Sequence, residues 1–229
     1  MLHNRTVLIK DGVVARTGSR PPMGAKVVDA KGKTLLPALI DSVAAARDTG
    51  WIQVTYHDGF AWGLRHKPVS FEALHDEIEA IHKENKRALI EVGSLRESVE
   101  ALKADADALL RIFAGAQSDP AFAKLAARRK VFVIPMLAAL EGAPRREGSL
   151  EALRQLRAAQ VPLLAGGADL ARELELLVRD AGLSPVEALR SATSVPVRIF
   201  GIKEQGRMIL VDGDPAVSIG TLRSAKPVN

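Results

Sequence analysis

The stretch WIQVTYHDGFAWG, residues 51–63, carries residues that could take part in acid–base chemistry in this 229-residue chain. Tyr56, His57 and Asp58 follow a short apolar run, where a strand is expected to pass into a loop, and could relay a proton or contact a substrate. We take His57 as a candidate catalytic residue and Tyr56 as a candidate pocket residue. Adjacent strand residues point to opposite faces, so the neighbours His57 and Asp58 support a catalytic dyad only weakly. An apolar wall for this site would come from three aromatic residues of the same stretch: Trp51, Phe60 and Trp62.

Several other kinds of site are excluded or weakly supported. The chain has no cysteine, which excludes disulfides, thiolate nucleophiles and zinc–thiolate sites. His75 and His82 share one face of an amphipathic helical pattern, which favours solvated helix residues over metal ligands. Ser94 is predicted to cap a helix rather than to act as a nucleophile. The two glycines of LLAGGAD favour close packing over phosphate binding, because no G-x-G-x-x-G pattern or P-loop lysine accompanies them.

The charge pattern limits the partners of the chain. Its net charge of +5 comes from 32 basic and 27 acidic residues that are interleaved along the sequence, and aromatic residues make up only 4%. A nucleic-acid groove needs a denser basic stripe with aromatic residues for base stacking, so no nucleic-acid partner is expected. No apolar run approaches the roughly 20 residues that span a bilayer, and the first residues lack a signal-peptide pattern. We therefore expect a cytoplasmic protein with no membrane partner.

The two ends of the chain share the pattern of short strands. TVLIKDGVVARTG alternates and breaks at Asp11-Gly12, and AKVVDAKGKTLL repeats the theme with a turn at Lys31-Gly32. Near the C-terminus, GRMILVDGDPAVSI has the same alternation, with turn residues at 212–215. We predict that the ends pair into one small β subdomain, residues 1–33 plus 204–229.

Between residues 34 and 203, short apolar runs alternate with helical patterns. Helix starts are marked by N-cap residues at Ser70, at Asp119 with Pro120 behind it, and at Ser184, whose capping box includes Glu187. Alternation of this kind predicts a parallel sheet that closes, wholly or partly, as an α/β barrel. The predicted strands are six runs: LLPALIDSVA, WIQVTY, RALIEVGS, DALLRIFA, VFVIPML and VPLLAGG.

Several stretches together resemble the metal-dependent amidohydrolase superfamily, in its imidazolonepropionase-like branch. The most characteristic are GKTLLPALIDS and AGLSPVEALRSATSVPVRIFG, supported by VLIKDGVVARTG, DPAFAKLAARRKVFVIPML and VDGDPAVSI. The resemblance implies a TIM-type (β/α) barrel with a small β-sandwich subdomain built from both chain ends. It also implies one or two divalent metals at the C-terminal mouth of the barrel.

The sequence departs from the family at every implied ligand position. The His-x-His pair becomes Val43 and Ala45, the lysine position becomes Gln53, two histidine positions become Glu91 and Arg111, and the last aspartate becomes Ala168. Metal binding needs several N or O ligands that converge, so we expect no metal and no other cofactor. A full barrel also needs about 250 residues, so the barrel is predicted to be shortened or distorted. The losses fall at element boundaries, which is typical of a selected minimal form or of an engineered one.

The chemistry left at the implied mouth depends on one carboxylate and one guanidinium. Small and apolar replacements should open the pocket, whose predicted lining is Val43, Ala45, Gln53, Tyr56 and Ala168. In one interpretation Glu91 is a general acid or base, and Arg111 orients an anion or stabilises negative charge. Apolar walls would raise the pKa of Glu91, and a nearby Arg111 would oppose that effect. In the alternative, Glu91 and Arg111 form a structural ion pair that replaces the lost metal.

Three functions follow from these alternatives. The first is a metal-independent acid–base catalyst that acts on a small, partly apolar substrate. The second is a non-catalytic binding or scaffold protein of the same descent, and the third is a weak amide or ester hydrolase with an ill-matched metal. A shortened barrel must also protect its sheet edges, so we expect a homodimer with contacts near the first strand and WIQVTY, in which segments could be exchanged.

Overall fold

The computed structural model describes residues 6–10, 13–18, 20–59, 65, 67, 69–142, 146–203 and 207–228. The predicted turn at Asp11-Gly12 and the aromatic residues Phe60 and Trp62 lie outside these residues. Three sheets are present in the described chain. The first two contain the terminal strands: β1 (Thr6–Lys10) with β2 (Val13–Gly18), and β3 (Lys33–Pro37) with β8 (Met208–Asp212) and β9 (Lys226–Pro227).

The third sheet is parallel and forms the centre of the fold. Its strands are β4 (Ile52–Tyr56), β5 (Ala88–Val92), β6 (Ala108–Leu110) and β7 (Phe132–Ile134), paired in that order. A single parallel bridge from Val133 to Leu163 extends it beyond β7. The predicted alternation of strand and helix is confirmed, but the run VPLLAGG contributes only this bridge. The connecting and following helices are α2 (Phe71–Lys83), α3 (Leu95–Lys103), α4 (Pro120–Arg129), α5 (Glu147–Ala158), α6 (Leu170–Arg179), α7 (Pro185–Ser191) and α8 (Ser194–Phe200).

The helix starts follow the capping residues that the sequence predicts. The side chain of Ser70 accepts a hydrogen bond from a backbone N–H in the first turn of α2, and Asp119 does the same for α4, with Pro120 in its first turn. Ser94 and Ser184 each form a complete capping box with a glutamate three residues later. Each cap satisfies backbone donors that would otherwise lack a partner, which contributes about 1 kcal/mol to helix stability.

The predicted first strand through Val43 and Ala45 is wrong. Both residues lie in a short helix, α1 (Ser42–Asp48), whose start is capped by the carboxylate of Asp41 through the Val43 backbone N–H at 3.0 Å. The run SVAAARD is rich in alanine, the strongest helix former, and the cap offers an alternative to strand pairing. Asp41 also accepts a hydrogen bond from the Gly167 backbone at 2.9 Å, which ties the start of α1 to the segment after Leu163.

Helices α1 and α8 cover the inner face of the parallel sheet, the face that would line the interior of a closed barrel. Three aromatic rings, Trp51, Phe132 and Phe200, pack edge to face with centroids 5.1–5.8 Å apart. Aromatic pairs in this geometry are favoured by their quadrupoles in addition to the area they bury. The covered apolar side chains come from four consecutive segments of the sheet: Leu89, Ala108, Leu110, Phe132, Ile134 and Leu164. In the described chain, helices α1 and α8 therefore occupy the position where a closed barrel would have its interior.

The outer face of the sheet carries the larger core. Helices α2 to α6 bury Leu74, Ile78, Leu102, Phe122, Leu153 and Leu177 against it. Close packing extends to the end of the sheet, where a Cβ on Gly166 would stand 2.6 Å from the Ile134 side chain and 3.0 Å from Val43. This proximity supports the packing prediction for Gly166, whereas Gly167 has a φ of 112°, which favours glycine for its backbone conformation. Within the described chain, none of the helices has both the length and the apolar character needed to cross a bilayer.

The chain ends meet through β3 and β8, which pair antiparallel over their full length from Lys33–Asp212 to Pro37–Met208. The hairpin of β1 and β2 forms a sheet of its own. The segment 20–32, between β2 and β3, contains no helix or strand and is almost entirely exposed. The division into residues 1–33 plus 204–229 and residues 34–203 remains a prediction.

Candidate functional site

An ion pair between Glu91 and Arg111 stands at the C-terminal end of the parallel sheet. Nε of Arg111 donates a hydrogen bond to Oε1 of Glu91 at 2.6 Å. The side chains are mostly buried, with 13% of Glu91 and 23% of Arg111 exposed. A charge-assisted bond of this length between partly desolvated groups is strong and directional. The structure therefore brings together the two charged residues that the sequence predicts at the mouth.

The backbone at Arg111 explains how its side chain reaches Glu91. Leu110, in register with Glu91, shares its face of the sheet, so the next residue in a regular strand would point to the opposite face. Strand β6 ends at Leu110, and Arg111 adopts a left-handed conformation with φ of 68°. This conformation is uncommon for a residue other than glycine and breaks the alternation of side chains. The Arg111 backbone N–H still donates to Ile134 at 2.8 Å, which anchors the turn.

Two polar residues of β4 complete the surroundings of the carboxylate. Nε2 of Gln53 donates to Oε2 of Glu91 at 3.0 Å, and Oγ1 of Thr55 lies 3.4 Å from the same oxygen. Gln53 and Thr55 are two residues apart, so they share the inner face of the strand. Both oxygens of Glu91 are therefore engaged, and the hydrogen bonds connect β4, β5 and the end of β6.

His57 lies directly beyond β4 on the same inner face. Its Nε2 is 3.7 Å from Oε1 of Glu91, and the side chain is almost fully buried. The ring packs on the backbone of Gly93, where a Cβ would come within 3.1 Å of the His57 Cβ. His57, Glu91 and Arg111, the three candidate catalytic residues, thus form one cluster.

The two opposing effects on Glu91 that the sequence suggests, burial and the charge of Arg111, are both present in the structure. Burial acts to raise the pKa of its carboxyl group, but the hydrogen bond and charge of Arg111, with smaller effects of His57 and Gln53, hold the pKa below its usual value. Glu91 is therefore ionised near neutral pH. A carboxylate in this state can accept a proton but cannot serve as a general acid.

The remaining predicted pocket residues have other surroundings. Tyr56 points to the outer face of the sheet, where its hydroxyl donates to Glu100 at 2.9 Å and burial raises its pKa to about 12. Val43 and Ala45 pack in the apolar cluster between α1 and the sheet. Ala168 is exposed at a bend before α6. These residues therefore do not form the open, apolar pocket around Glu91 that the sequence predicts.

A small cavity opens beside His57, between the end of β4 and the start of α3. Its volume is about 140 Å³, below the roughly 300–1,000 Å³ that is usual for a small-molecule site. The space fits a few water molecules or a fragment-sized ligand. Its described lining consists of Tyr56, His57, Asp58, Val69, Arg96 and Glu97.

Sequence reasoning missed two carboxylates near this end of the sheet. Glu97 accepts hydrogen bonds from the backbones of Gly93 and Ser94 at 3.0 and 2.7 Å, as part of the α3 capping box. Glu173 of α6 is fully buried and accepts from the backbones of Leu137 and Ala138, both at 2.9 Å. Burial raises the pKa of Glu173 to about 7, against the opposing effect of these backbone donors. The two carboxylates fix the segments that follow β5 and β7.

The residues at the mouth do not fit the divalent metals that the sequence resemblance implies. A hydrolytic centre needs three or more N or O ligands that converge on one point. Here Glu91 is bonded to a guanidinium, a permanent cation, and Val43 and Ala45 offer no ligand atom. Among the described residues, three histidine or carboxylate side chains bring ligand atoms close together only at His75, Asp76 and Glu79, which are exposed on α2. Glu79 is already paired there with Lys83.

No protein-family model matches the sequence, and no curated protein matches it. Solved structures do match. The chain is similar to A. niger ochratoxinase, with a TM-score of 0.62 and 18% identity over 77% of this chain and 48% of that one. It is similar to a Xaa-Pro dipeptidase with bound methionine in the active site, with a TM-score of 0.64 and 16% identity over 79% of this chain and 53% of that one. An amidohydrolase also matches, with a TM-score of 0.61 and 16% identity over 94% of this chain and 89% of that one.

These structural neighbours are amidohydrolase-superfamily proteins, as the sequence motifs predict. The chain shares their α/β fold of the TIM-barrel type, although its described residues form no closed barrel. It spans about half the length of the ochratoxinase and dipeptidase chains. At these low identities, the likeness establishes the fold alone.

Proposed function

We propose that this chain is a non-catalytic scaffold protein of hydrolase ancestry, in which the Glu91–Arg111 pair replaces the metal centre as the cross-link between strands. The observation that carries the proposal is the state of Glu91. Arg111 occupies one carboxylate oxygen, Gln53 and Thr55 contact the other, and little of the side chain is exposed. A carboxylate with these partners is suited to holding β4, β5 and β6 together and poorly suited to attacking or protonating a substrate.

The space around the pair supports the same proposal. Where a closed barrel would hold its mouth and interior, α1 and α8 pack against the sheet. The cavity at His57, at about 140 Å³, is too small for the partly apolar substrate that the sequence suggests. Hydrolysis of a prolyl dipeptide or another amide needs an activated water molecule and stabilisation of the oxyanion. The charge of the Arg111 guanidinium is already neutralised by the Glu91 carboxylate, so Arg111 is poorly suited to stabilising an oxyanion.

A metal-independent base is the second candidate function, and one contact favours it. His57 stands 3.7 Å from the ionised Glu91, close enough for a small shift to join them through a hydrogen bond. In that case His57 would exchange a proton with substrate while Glu91 orients the ring. The two candidates make opposite forecasts for the Glu91→Gln variant.

The first test concerns metal content. We expect the purified protein to contain well below one equivalent of zinc, manganese or iron, and a chelator to leave its melting temperature unchanged, because Arg111 stands where a cation would have to bind. Elemental analysis and thermal unfolding with and without chelator measure both quantities. Zinc at one equivalent, together with unfolding on chelation, would contradict the proposal and favour a residual metal-dependent hydrolase.

The second test concerns turnover. We expect no hydrolysis of prolyl dipeptides, aryl amides or aryl esters above the buffer rate, with or without added divalent metal, in wild type and in Glu91→Gln alike. Assays of released amine or alcohol from pH 5 to 9 provide the measurement. Turnover in wild type that disappears in a folded Glu91→Gln variant, with a pH profile set by one carboxylate, would support the metal-independent base instead.

A further inference from the structure

A second cavity, here called the α1 groove, lies between α1 and the segment that follows α8. Its volume is about 500 Å³, within the roughly 300–1,000 Å³ of typical ligand sites, and its described lining shares no residue with the site around Glu91. Asp41, Ala44, Ala45 and Asp48 recur at intervals of three and four residues, so they form one side of the groove. The rest of the described lining is Ile40, Thr49, Gly201, Ile202 and Lys203.

The α1 groove combines an apolar centre with opposite charges on its two sides. Ala44 and Ile202 contribute apolar surface, Asp48 carries a negative charge on α1, and Lys203 carries a positive charge beyond α8. Asp48 and Lys203 are exposed, and within the described chain neither forms a salt bridge. The groove therefore suits an extended segment that presents a cation and an apolar group to α1, and an apolar group and an anion to the other side.

Residues 26–29 of this chain, Lys-Val-Val-Asp, have this pattern. They belong to the segment 20–32, which contains no helix or strand and is almost entirely exposed. Val27 and Val28 are 71% and 49% exposed, and neighbouring apolar side chains in one exposed segment are typical of a contact surface. In an extended chain successive side chains point to opposite sides, so Lys26 and Val28 share one side, and Val27 and Asp29 share the other.

We propose that residues 26–29 of one copy of this chain lie in the α1 groove of a second copy, in a two-fold dimer that exchanges both segments. Lys26 then faces Asp48, and Asp29 faces Lys203, with the two valines on the apolar centre.

The occupant is a second copy because the segment matches the groove in both charge and apolar pattern, yet it lies exposed on its own copy. Asp29 accepts a backbone hydrogen bond from Lys31 at 3.0 Å through one oxygen, which leaves the other oxygen to face Lys203. A reciprocal contact of this kind closes on itself, as most homodimer contacts do. Segment 20–32 and the groove together approach the roughly 20–30 residues that each side of a standard interface contributes.

An exchange of charges between the two surfaces tests the proposal. By light scattering at tens of micromolar, we expect wild type to have twice the monomer mass of 24.5 kDa. Lys26→Glu and Asp48→Lys each set like charges against each other at both contacts, so each should raise the dissociation constant of the dimer at least about ten-fold. Asp76→Lys, at an exposed aspartate on α2 outside the groove, is the matched control and should leave the dimer intact.

A mixture of the two variants identifies the occupant. Lys26→Glu and Asp48→Lys in equal amounts should form a heterodimer, because the changed segment of one copy meets the changed groove of the other and the second contact is that of wild type. Circular dichroism confirms folding, and both changed side chains are exposed.

Three results would overturn the proposal. The first is a monomeric wild type, including one whose residues 26–29 are protected from proteases by their own groove. The second is a dimer that neither variant weakens, which would place the contact elsewhere. The third is a mixture that stays monomeric, which would mean that Lys26 and Asp48 do not face each other across the dimer.

Discussion

Replacing Arg111 by methionine is expected to lower the free energy of unfolding by about 2–4 kcal/mol, since it leaves the largely buried Glu91 carboxylate without its cation. The upper part of that range applies to fully buried pairs, and the partial exposure of both side chains reduces it. Gln53 and Thr55 remain as donors, but neither carries a charge. Urea unfolding at pH 7, followed by circular dichroism, measures the change.

The matched control is the double variant Glu91→Met with Arg111→Met. Removal of both charges leaves no uncompensated group, and replacement of a buried pair by apolar residues is often neutral. We expect the double variant to be more stable than Arg111→Met alone, so that the double-mutant cycle shows a coupling energy of about 1–3 kcal/mol. Additive effects would mean that Glu91 and Arg111 do not depend on each other, and the structural role proposed for the pair would be wrong.

Glu91 and Arg111 also show which features of the site can be predicted from the sequence alone. The family resemblance implies that both residues lie at the mouth of the barrel, and in the structure they are bonded to each other at the C-terminal end of the sheet. Thr55, which also contacts Glu91, was missed although a signal existed. It lies two residues from Gln53, and the alternation of strand residues puts both on one face. The pKa of Glu91 could not be inferred, since its direction depends on the distance to Arg111 and on burial.

The errors in the fold have a common cause in local helix signals. The family resemblance suggested a strand through Val43 and Ala45, but Asp41 as a cap and the alanine-rich run behind it favour the helix α1. The sequence does not predict where helix α1 packs in the folded chain. Only the folded chain shows that α1 and α8 cover the inner face of the sheet. The burial of Glu173 had a signal as well, because helical spacing sets it on the same face as Leu170, Leu174 and Leu177.

Glu173 gives the second large effect, a dependence of stability on pH. Its folded pKa of about 7 lies above the value of 4.5 for an exposed glutamate, so the folded state binds more protons between these two values. Stability from this group is fully present below pH 4.5 and is lost as the pH rises through 7. The loss amounts to about 3 kcal/mol, because each tenfold difference in proton affinity corresponds to about 1.4 kcal/mol. Burial is the main physical cause, and the negative charge of Glu141 acts in the same direction.

The variant Glu173→Gln isolates this contribution, because glutamine keeps the shape of the side chain and does not titrate. We expect the difference in unfolding free energy between wild type and Glu173→Gln to shift by about 3 kcal/mol from pH 5 to pH 8, with wild type losing stability as the pH rises. Glu175 and Glu187 do not interfere in this window, because their arginine and N-cap partners hold both pKa values at about 2 and their effects appear only as the pH falls below 4.5. Urea unfolding curves at four pH values provide the measurement. Parallel stability curves for the two proteins would mean that Glu173 stays ionised over the whole pH range. The hydrogen bonds from the Leu137 and Ala138 backbones, rather than burial, would then dominate its pKa.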